Sequence, residues 1–310
     1  MSESPRSPAL VIGEALIDIV DRGDGSGPLR HVGGSPLNVA FGLGRLGIPT
    51  VFATEYGDDA DGAAITAHLA GAGVAVVRTA GGARRTATAR ARIQADGSAV
   101  YDFDIDWTLR HPPTVGDASV VHVGSIGALR APGAEGVLAL VESLDEGVLV
   151  TFDPNVRPAL MPPQAESRAL VERYAARAAV VKLSDEDAEW LYPGEAGTAA
   201  RRLLAAGARL VAVTHGAAGS ELHTATHRVG VPVRATNAVD TIGAGDSYMS
   251  GLIAAIVERV GIDAALSGTL TVQQLAEIGR IASSSSSLTV ARAGAMPPTA
   301  VELASALTAA

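Results

Sequence analysis

Residues 148–152 (VLVTF), 179–183 (AVVKL) and 210–214 (LVAVT) are three short, nearly all-apolar runs, each followed by polar residues or glycine and separated by helical stretches. A strand with one wet face alternates apolar and polar residues, whereas a strand covered on both faces does not. The runs therefore read as parallel strands alternating with helices, and SVVHV at 119–123 extends the series towards the amino terminus. There, ALVIGEALIDIV at 9–20 is a strand candidate broken by Gly13, and PLNVAFGLGRL at 36–46 carries near-helical apolar spacing up to the stop signal Gly47. This alternation predicts a right-handed, doubly wound α/β core. One region departs from it. TATARARIQ at 86–94 and AVYDFDI at 99–105 alternate polar and apolar residues about Ala95-Asp96-Gly97, which predicts an antiparallel hairpin with one exposed face. With residues 14–33 it forms a small sheet projecting from the core, a candidate lid. The serine run 283–287 has side chains small enough for a tightly packed helix face, and residues 296–310 read as a short surface helix after Pro297-Pro298.

A length of 310 residues suits one α/β domain or a large domain with a small appendage. Twenty-four Lys and Arg against 33 Asp and Glu leave a net charge of −9, so a general binder of nucleic acid or anionic membrane is a poor fit. Lys182 is the only lysine, and because it follows Val181 there is no Walker A sequence, whose lysine must follow a glycine. The H-R-D and D-F-G segments of protein kinases are absent as well. Zero cysteine removes disulfide, thiolate and cysteine-zinc chemistry and fits a cytoplasmic setting. The amino terminus does not have the pattern of a signal peptide, and eighteen apolar residues never run together, so no membrane span is expected.

The segment richest in chemistry is VDTIGAGDSYMSGLI at 239–253. Gly243, Ala244 and Gly245 can bring main-chain N–H groups close to a ligand, and the residues after them turn into a helix. Free N–H donors and the positive end of the helix dipole then converge on one point, which is an anion site by geometry. Asp246 sits at that mouth. As structure alone it is a helix-start cap; as chemistry it accepts a proton from a hydroxyl while the glycine amides offset charge on a transferring phosphoryl group. GGSPLN at 33–38 is a second constellation: Gly33 and Gly34 permit hinge dihedrals, and Asn38 offers donor and acceptor to a hydroxyl-rich ligand. Asp18, four residues after Glu14, is placed to accept hydrogen bonds from two vicinal hydroxyls.

These residues carry a resemblance that spans nearly the whole chain. Gly33-Gly34 with Asn38 and the A-F-G-L-G-R-L-G continuation, then Asp240-Thr241-x-Gly243-Ala244-Gly245-Asp246, resemble the two signatures of the PfkB, or ribokinase-like, carbohydrate kinases. G-E-A-L-I-D at 13–18, D-P-N-V-R at 153–157 and K-L-S-D-E-D at 182–187 resemble its fructokinase branch. The resemblance implies a ribokinase-like fold: one α/β kinase domain over 1–310, with a mainly parallel sheet flanked by helices and a small discontinuous β-sheet lid from about 14–33 and 86–107. It implies ATP, Mg²⁺ and K⁺ as cofactors and ATP-dependent phosphorylation of a sugar hydroxyl, fructose to fructose 6-phosphate before other sugars. Asp246 matches the catalytic base, with Gly243, Ala244 and Gly245 in the anion hole. Asp18, Gly33, Gly34 and Asn38 match sugar-site positions, and Arg157 matches an arginine near the transferring phosphate or the sugar. Thr214, Gly216 and Gly219, with Lys182, Ser184 and Ser283, match nucleotide-site positions. Asp240, Ile242, Thr289, Arg292 and Gly294 match a monovalent-cation loop. One departure is plain: many relatives carry N-x-x-E near the magnesium water network, where this chain has Ser184 and Asp187, leaving Asp187 as the carboxylate for Mg²⁺.

Two rivals stand beside that reading. A 2-keto-3-deoxygluconate kinase needs a cation for the sugar carboxylate, which Arg90 or Arg92 on the lid supplies; a sugar-binding regulator would keep the fold without catalysis. A nucleoside kinase has only Tyr101, Phe103 and Trp107 as stacking partners. A homodimer through the lid is also expected.

Overall fold

The computed structural model describes residues 7–21, 27–79, 85–93, 99–109, 111, 113–234 and 237–309. The chain opens with β1 (Ala9–Ile12), β2 (Leu16–Asp21), β3 (Leu29–Gly33), α1 (Ser35–Arg45), β4 (Thr50–Thr54), α2 (Ala60–Ala70), β5 (Ala75–Arg78), β6 (Ala87–Ile93) and β7 (Ala99–Asp104). It continues through β8 (Val120–Gly124), α3 (Ser125–Leu129), α4 (Gly133–Ser143), β9 (Leu149–Asp153), α5 (Gln164–Ala175), β10 (Val180–Ser184), α6 (Asp185–Leu191) and α7 (Ala199–Ala206). The last third holds β11 (Leu210–Thr214), β12 (Ser220–His223), β13 (Arg228–Val231), α8 (Ala244–Ala255), α9 (Ile262–Ser267), α10 (Val272–Val290) and α11 (Ala300–Thr308).

Nine strands form one sheet in the order β13-β12-β11-β10-β9-β8-β1-β4-β5. All neighbours are parallel except β11–β12 and β12–β13. The apolar runs are its centre, and burial on both faces explains why they do not alternate. Val11, Val120, Leu149, Val180 and Ala212 pack against Leu37, Leu43, Met249, Leu252 and Ile278 of α1, α8 and α10. On the other face Ile12, Val121, Phe152, Leu183 and Val211 meet Val137, Val171, Tyr174 and Leu203 of α4, α5 and α7. Each Val, Leu, Ile, Met or Phe side chain among these, fully buried, contributes roughly 1.5–3 kcal/mol.

Gly13 does interrupt the first strand, so that β1 joins the large sheet and β2 the small one. The four-stranded sheet has the order β3-β2-β6-β7, with β2 and β6 parallel and the outer pairs antiparallel. The turn at Ala95-Asp96-Gly97 lies outside the described residues. The serine run occupies α10, where Ser283, Ser284, Ser285 and Ser287 are buried. Small residues let this helix approach α8 closely: a Cβ on Gly251 would stand 2.8 Å from the Ser285 Cβ. Ser247 Oγ and Ser285 Oγ are hydrogen-bonded there at 2.8 Å.

Candidate active site

Gly243 caps α8 in the left-handed region, φ 74°, where a side chain is strained, and a Cβ there would meet that of Ala295 at 2.5 Å. Its conformation starts the helix so that the Gly245 N–H belongs to the open first turn, while the Ala244 N–H donates to the Thr241 carbonyl at 3.2 Å. Lys182 lies directly beneath: a Cβ on Gly245 would stand 2.9 Å from Nζ. Only 3% exposed, this lysine donates to Asp153 Oδ2 at 2.9 Å. Burial works against its charge, but the Asp153, Asp187 and Asp246 carboxylates outweigh that and raise its pKa. A buried cation beside the positive end of a helix is repulsive as it stands, and an anion between them relieves both.

Asp246 is 8% exposed and reaches across from α8 to the first turn of α1. Ser35 Oγ donates to Oδ1 at 2.7 Å and Asn38 Nδ2 to Oδ2 at 2.8 Å. The two glycines before this turn have different jobs. Gly34 has φ 110°, and a Cβ on it would stand 2.7 Å from the Glu14 carbonyl oxygen. On Gly33 the obstacle is a side chain, because a Cβ would fall 2.1 Å from Asp18 Oδ2. Asp18 thus lies over the glycine pair. Burial pushes its carboxyl up to about 6, against the pull of Arg157 and His31 and with a further push from Asp246. Arg157 itself is exposed and donates to the Val156 carbonyl at 3.1 Å.

Register decides what else shares the Asp18 face. Asp18 pairs with His31 and Ala89, and Ala89 pairs with Phe103, so these side chains stand on one face of the small sheet. Arg90 and Arg92 alternate with Ala89 and Ala91 and therefore occupy the opposite face. The cation that a sugar acid requires is not supplied from there.

Ser184 and Thr214 are direct partners on the parallel strands β10 and β11, at their carboxyl ends. The turn beyond β11 has Gly216 at φ 51° and Gly219 at φ 100°, and a Cβ on Gly219 would meet the Val231 carbonyl oxygen at 2.3 Å. Ser184 and Asp187 form a capping box on α6, while Asp187 Oδ1 accepts from Val156 N at 2.7 Å. That carboxylate ties α6 to the D-P-N-V-R loop. Ser283 faces β13 and donates to the Pro232 carbonyl at 3.1 Å. Asp240 joins two loops, accepting from Ile242 N at 3.0 Å and Gly294 N at 2.9 Å. Thr289 Oγ1 lies 2.7 Å from Ser247 Oγ, and Arg292 pairs with Glu302 of α11 at 2.7 Å.

Three groups at the site were not among the residues picked out from sequence. Ser35 had a usable signal, since it stands three residues before Asn38 and so on the same helix face. Asp153 lies inside D-P-N-V-R, but only strand pairing brings it to Lys182. Glu14, buried and accepting from Gly127 N at 2.7 Å, has its carboxyl pushed up to about 7 by burial. Gly127 is also where Trp107 Nε1 donates, at 2.9 Å to the carbonyl, so the chain just before β2 and just after β7 is anchored on one residue.

Residues 8–301 match the model of the pfkB family carbohydrate kinases. A fructokinase of Rhizobium leguminosarum bv. trifolii is 33% identical over 258 residues, 80% of this chain and 79% of its own. Among solved structures, a Xylella fastidiosa fructokinase with bound ATP superposes with a TM-score of 0.83 at 26% identity, covering 97% of this chain and 98% of that one. A Vibrio cholerae O395 fructokinase with fructose, ADP and calcium ion bound has a TM-score of 0.79 at 25% identity, covering 97% and 99%.

Proposed function

Because the chain belongs to the pfkB family of carbohydrate kinases, we propose that it transfers the γ-phosphoryl group of ATP to the 6-hydroxyl of fructose. The observation that carries this reading is Asp246, buried at the α8 start, held by two donors from α1 and set between Lys182 and the Asp18 face of the small sheet. Fructokinase relatives, one with ATP and one with fructose and ADP, support the substrate pair.

Fructose lies between Asp18, Asn38 and Arg157, with its 6-hydroxyl towards Asp246. MgATP enters over Ser184, Thr214 and the Gly216–Gly219 turn, and its γ-phosphate reaches the Gly245 N–H above Lys182 and takes the place of the Thr241 carbonyl at the Ala244 N–H. Oxygen O6 attacks the γ-phosphorus in line, the bond to the β-phosphate oxygen breaks, and the hydroxyl proton passes to Asp246. Among the described residues no cluster of three or more His, Cys, Asp or Glu is arranged to hold a metal. Asp187 would hold the magnesium ion of the nucleotide through water, and the ion would offset charge on the phosphates. The two loops joined by Asp240, with Ile242, Thr289, Arg292 and Gly294, would hold K⁺, which would supply positive charge beside the anion hole.

The small sheet acts as a lid over the sugar, hinged at Gly33-Gly34, and excludes water as the competing acceptor. Its outer strands β3 and β7 also offer edges for a homodimer, which sedimentation velocity checks. No described helix is long and apolar enough to cross a membrane; a cytoplasmic setting is the reading that the cysteine-free composition supports.

The test is Asp246→Asn in a coupled ADP-release assay with fructose, glucose, ribose and 2-keto-3-deoxygluconate. Turnover falls about 10²- to 10⁴-fold while fructose still shifts the melting temperature. Near-normal turnover removes Asp246 from its role; no ADP release with any sugar in the unmodified protein, despite a thermal shift, marks a binding protein instead.

A further inference from the structure

A carboxylate acting as base must aim one lone pair at the substrate proton, and rotation about its Cβ–Cγ bond swings that aim away. Asp246 is held against this rotation at both oxygens, by Ser35 at Oδ1 and Asn38 at Oδ2. The two holders differ. Asn38 is also the amide proposed to contact the sugar, so its hold on Oδ2 competes with substrate. Ser35 Oγ, buried at the first residue of α1, serves Oδ1 alone in the described structure.

The scaffold keeps that contact short. No side chain of α1 itself caps its N-terminus, and its first turn contains no acidic residue, so Asp246 brings the dipole end a negative charge from another helix. Helices α1 and α8 touch closely, since a Cβ on Gly42 would meet Ser250 Oγ at 2.5 Å. Ser35 follows Gly34, the residue at which the small sheet rejoins the core.

We infer that Ser35 is a positioning residue: its hydroxyl pins Oδ1 of Asp246 so that Oδ2, on the Asn38 side, takes the proton of the substrate hydroxyl. This rests on the proposed role of Asp246 as base. Because Ser35 acts through that carboxylate, its loss lowers the rate of transfer and leaves ground-state sugar binding in place.

The experiment is a double-mutant cycle of Ser35→Ala and Asp246→Asn by coupled ADP release, with Ser35→Thr as the variant that keeps a hydroxyl. Ser35→Ala lowers kcat roughly ten- to a hundredfold and leaves the fructose KM within about twofold, as for a lost hydrogen bond to a charged group. Ser35→Thr restores most of kcat, and in the Asp246→Asn background Ser35→Ala causes no further loss. An unchanged kcat in Ser35→Ala, or the same fractional loss with Asp246 already replaced, overturns the assignment of Ser35 while leaving the base in place. Near-normal turnover of Asp246→Asn overturns both at once.

Discussion

On one side of the site α8 presents main-chain N–H groups over a buried Lys182–Asp153 pair, whereas on the other the small sheet presents side chains, Asp18 above all, over a glycine. The proposed phosphate side is made of groups that cannot turn away: amides locked by the helix and charges sealed under it. The proposed sugar side is made of groups whose aim depends on strand register and on how the small sheet sits. A transferring phosphoryl group has the same charge whatever the acceptor, so a rigid, general receptor suits it. Choice among sugars needs the adjustable side.

The largest expected effect breaks the rigid side. Asp153→Ala leaves the Lys182 ammonium buried without its partner and destabilises the fold by about 3–5 kcal/mol in urea unfolding, while Asp153→Ala with Lys182→Met recovers most of it. On the adjustable side Gly33→Ala drives a Cβ into Asp18 and raises the fructose KM about tenfold, with the ATP KM unchanged in steady-state kinetics.

A pH series sharpens the contrast. The Asp18 carboxyl, pushed up to about 6, is the proposed sugar contact and accepts from two hydroxyls at full strength when ionised, so the fructose KM rises as pH falls through 6; Asp18→Asn abolishes that slope. Glu14 carries the opposite sign into stability. Its folded pKa, about 7, exceeds the unfolded 4.5, so its contribution is present below 4.5 and lost as pH rises through 7. Glu14→Gln, followed by urea unfolding at pH 5 and 8, removes a fall on the order of 3 kcal/mol. The smallest effect is expected at Arg90→Ala and Arg92→Ala, which leave the fructose KM within about twofold, because both side chains stand on the face away from Asp18.

Much of the core was legible because burial on two faces writes itself as uninterrupted apolar runs: 148–152, 179–183 and 210–214 each coincide with a strand to within a residue. The outer strands β4, β5, β12 and β13 were not picked out. In β5 the residues of Ala75–Arg78 are largely exposed, and such an edge leaves neither an apolar run nor a clean alternation. G-A-G-D was legible as a helix start, since capping chemistry is local. Gly33 and Gly34 read alike as hinge residues, yet only Gly34 has a positive φ; Gly33 is needed for clearance beneath a side chain from another strand.

The sequence by itself determined the layering of strands and helices, the helix start at Gly243 and the exclusion of Walker-type chemistry, because these depend on neighbouring residues or on residue types the chain lacks. Tertiary structure alone decided that Lys182 lies under Gly245, that Ser35 holds Asp246 and that Arg90 faces away from Asp18. Each of these is a contact between distant segments, and in a sheet a slip of one residue reverses every side chain, so parity across strands is set by packing.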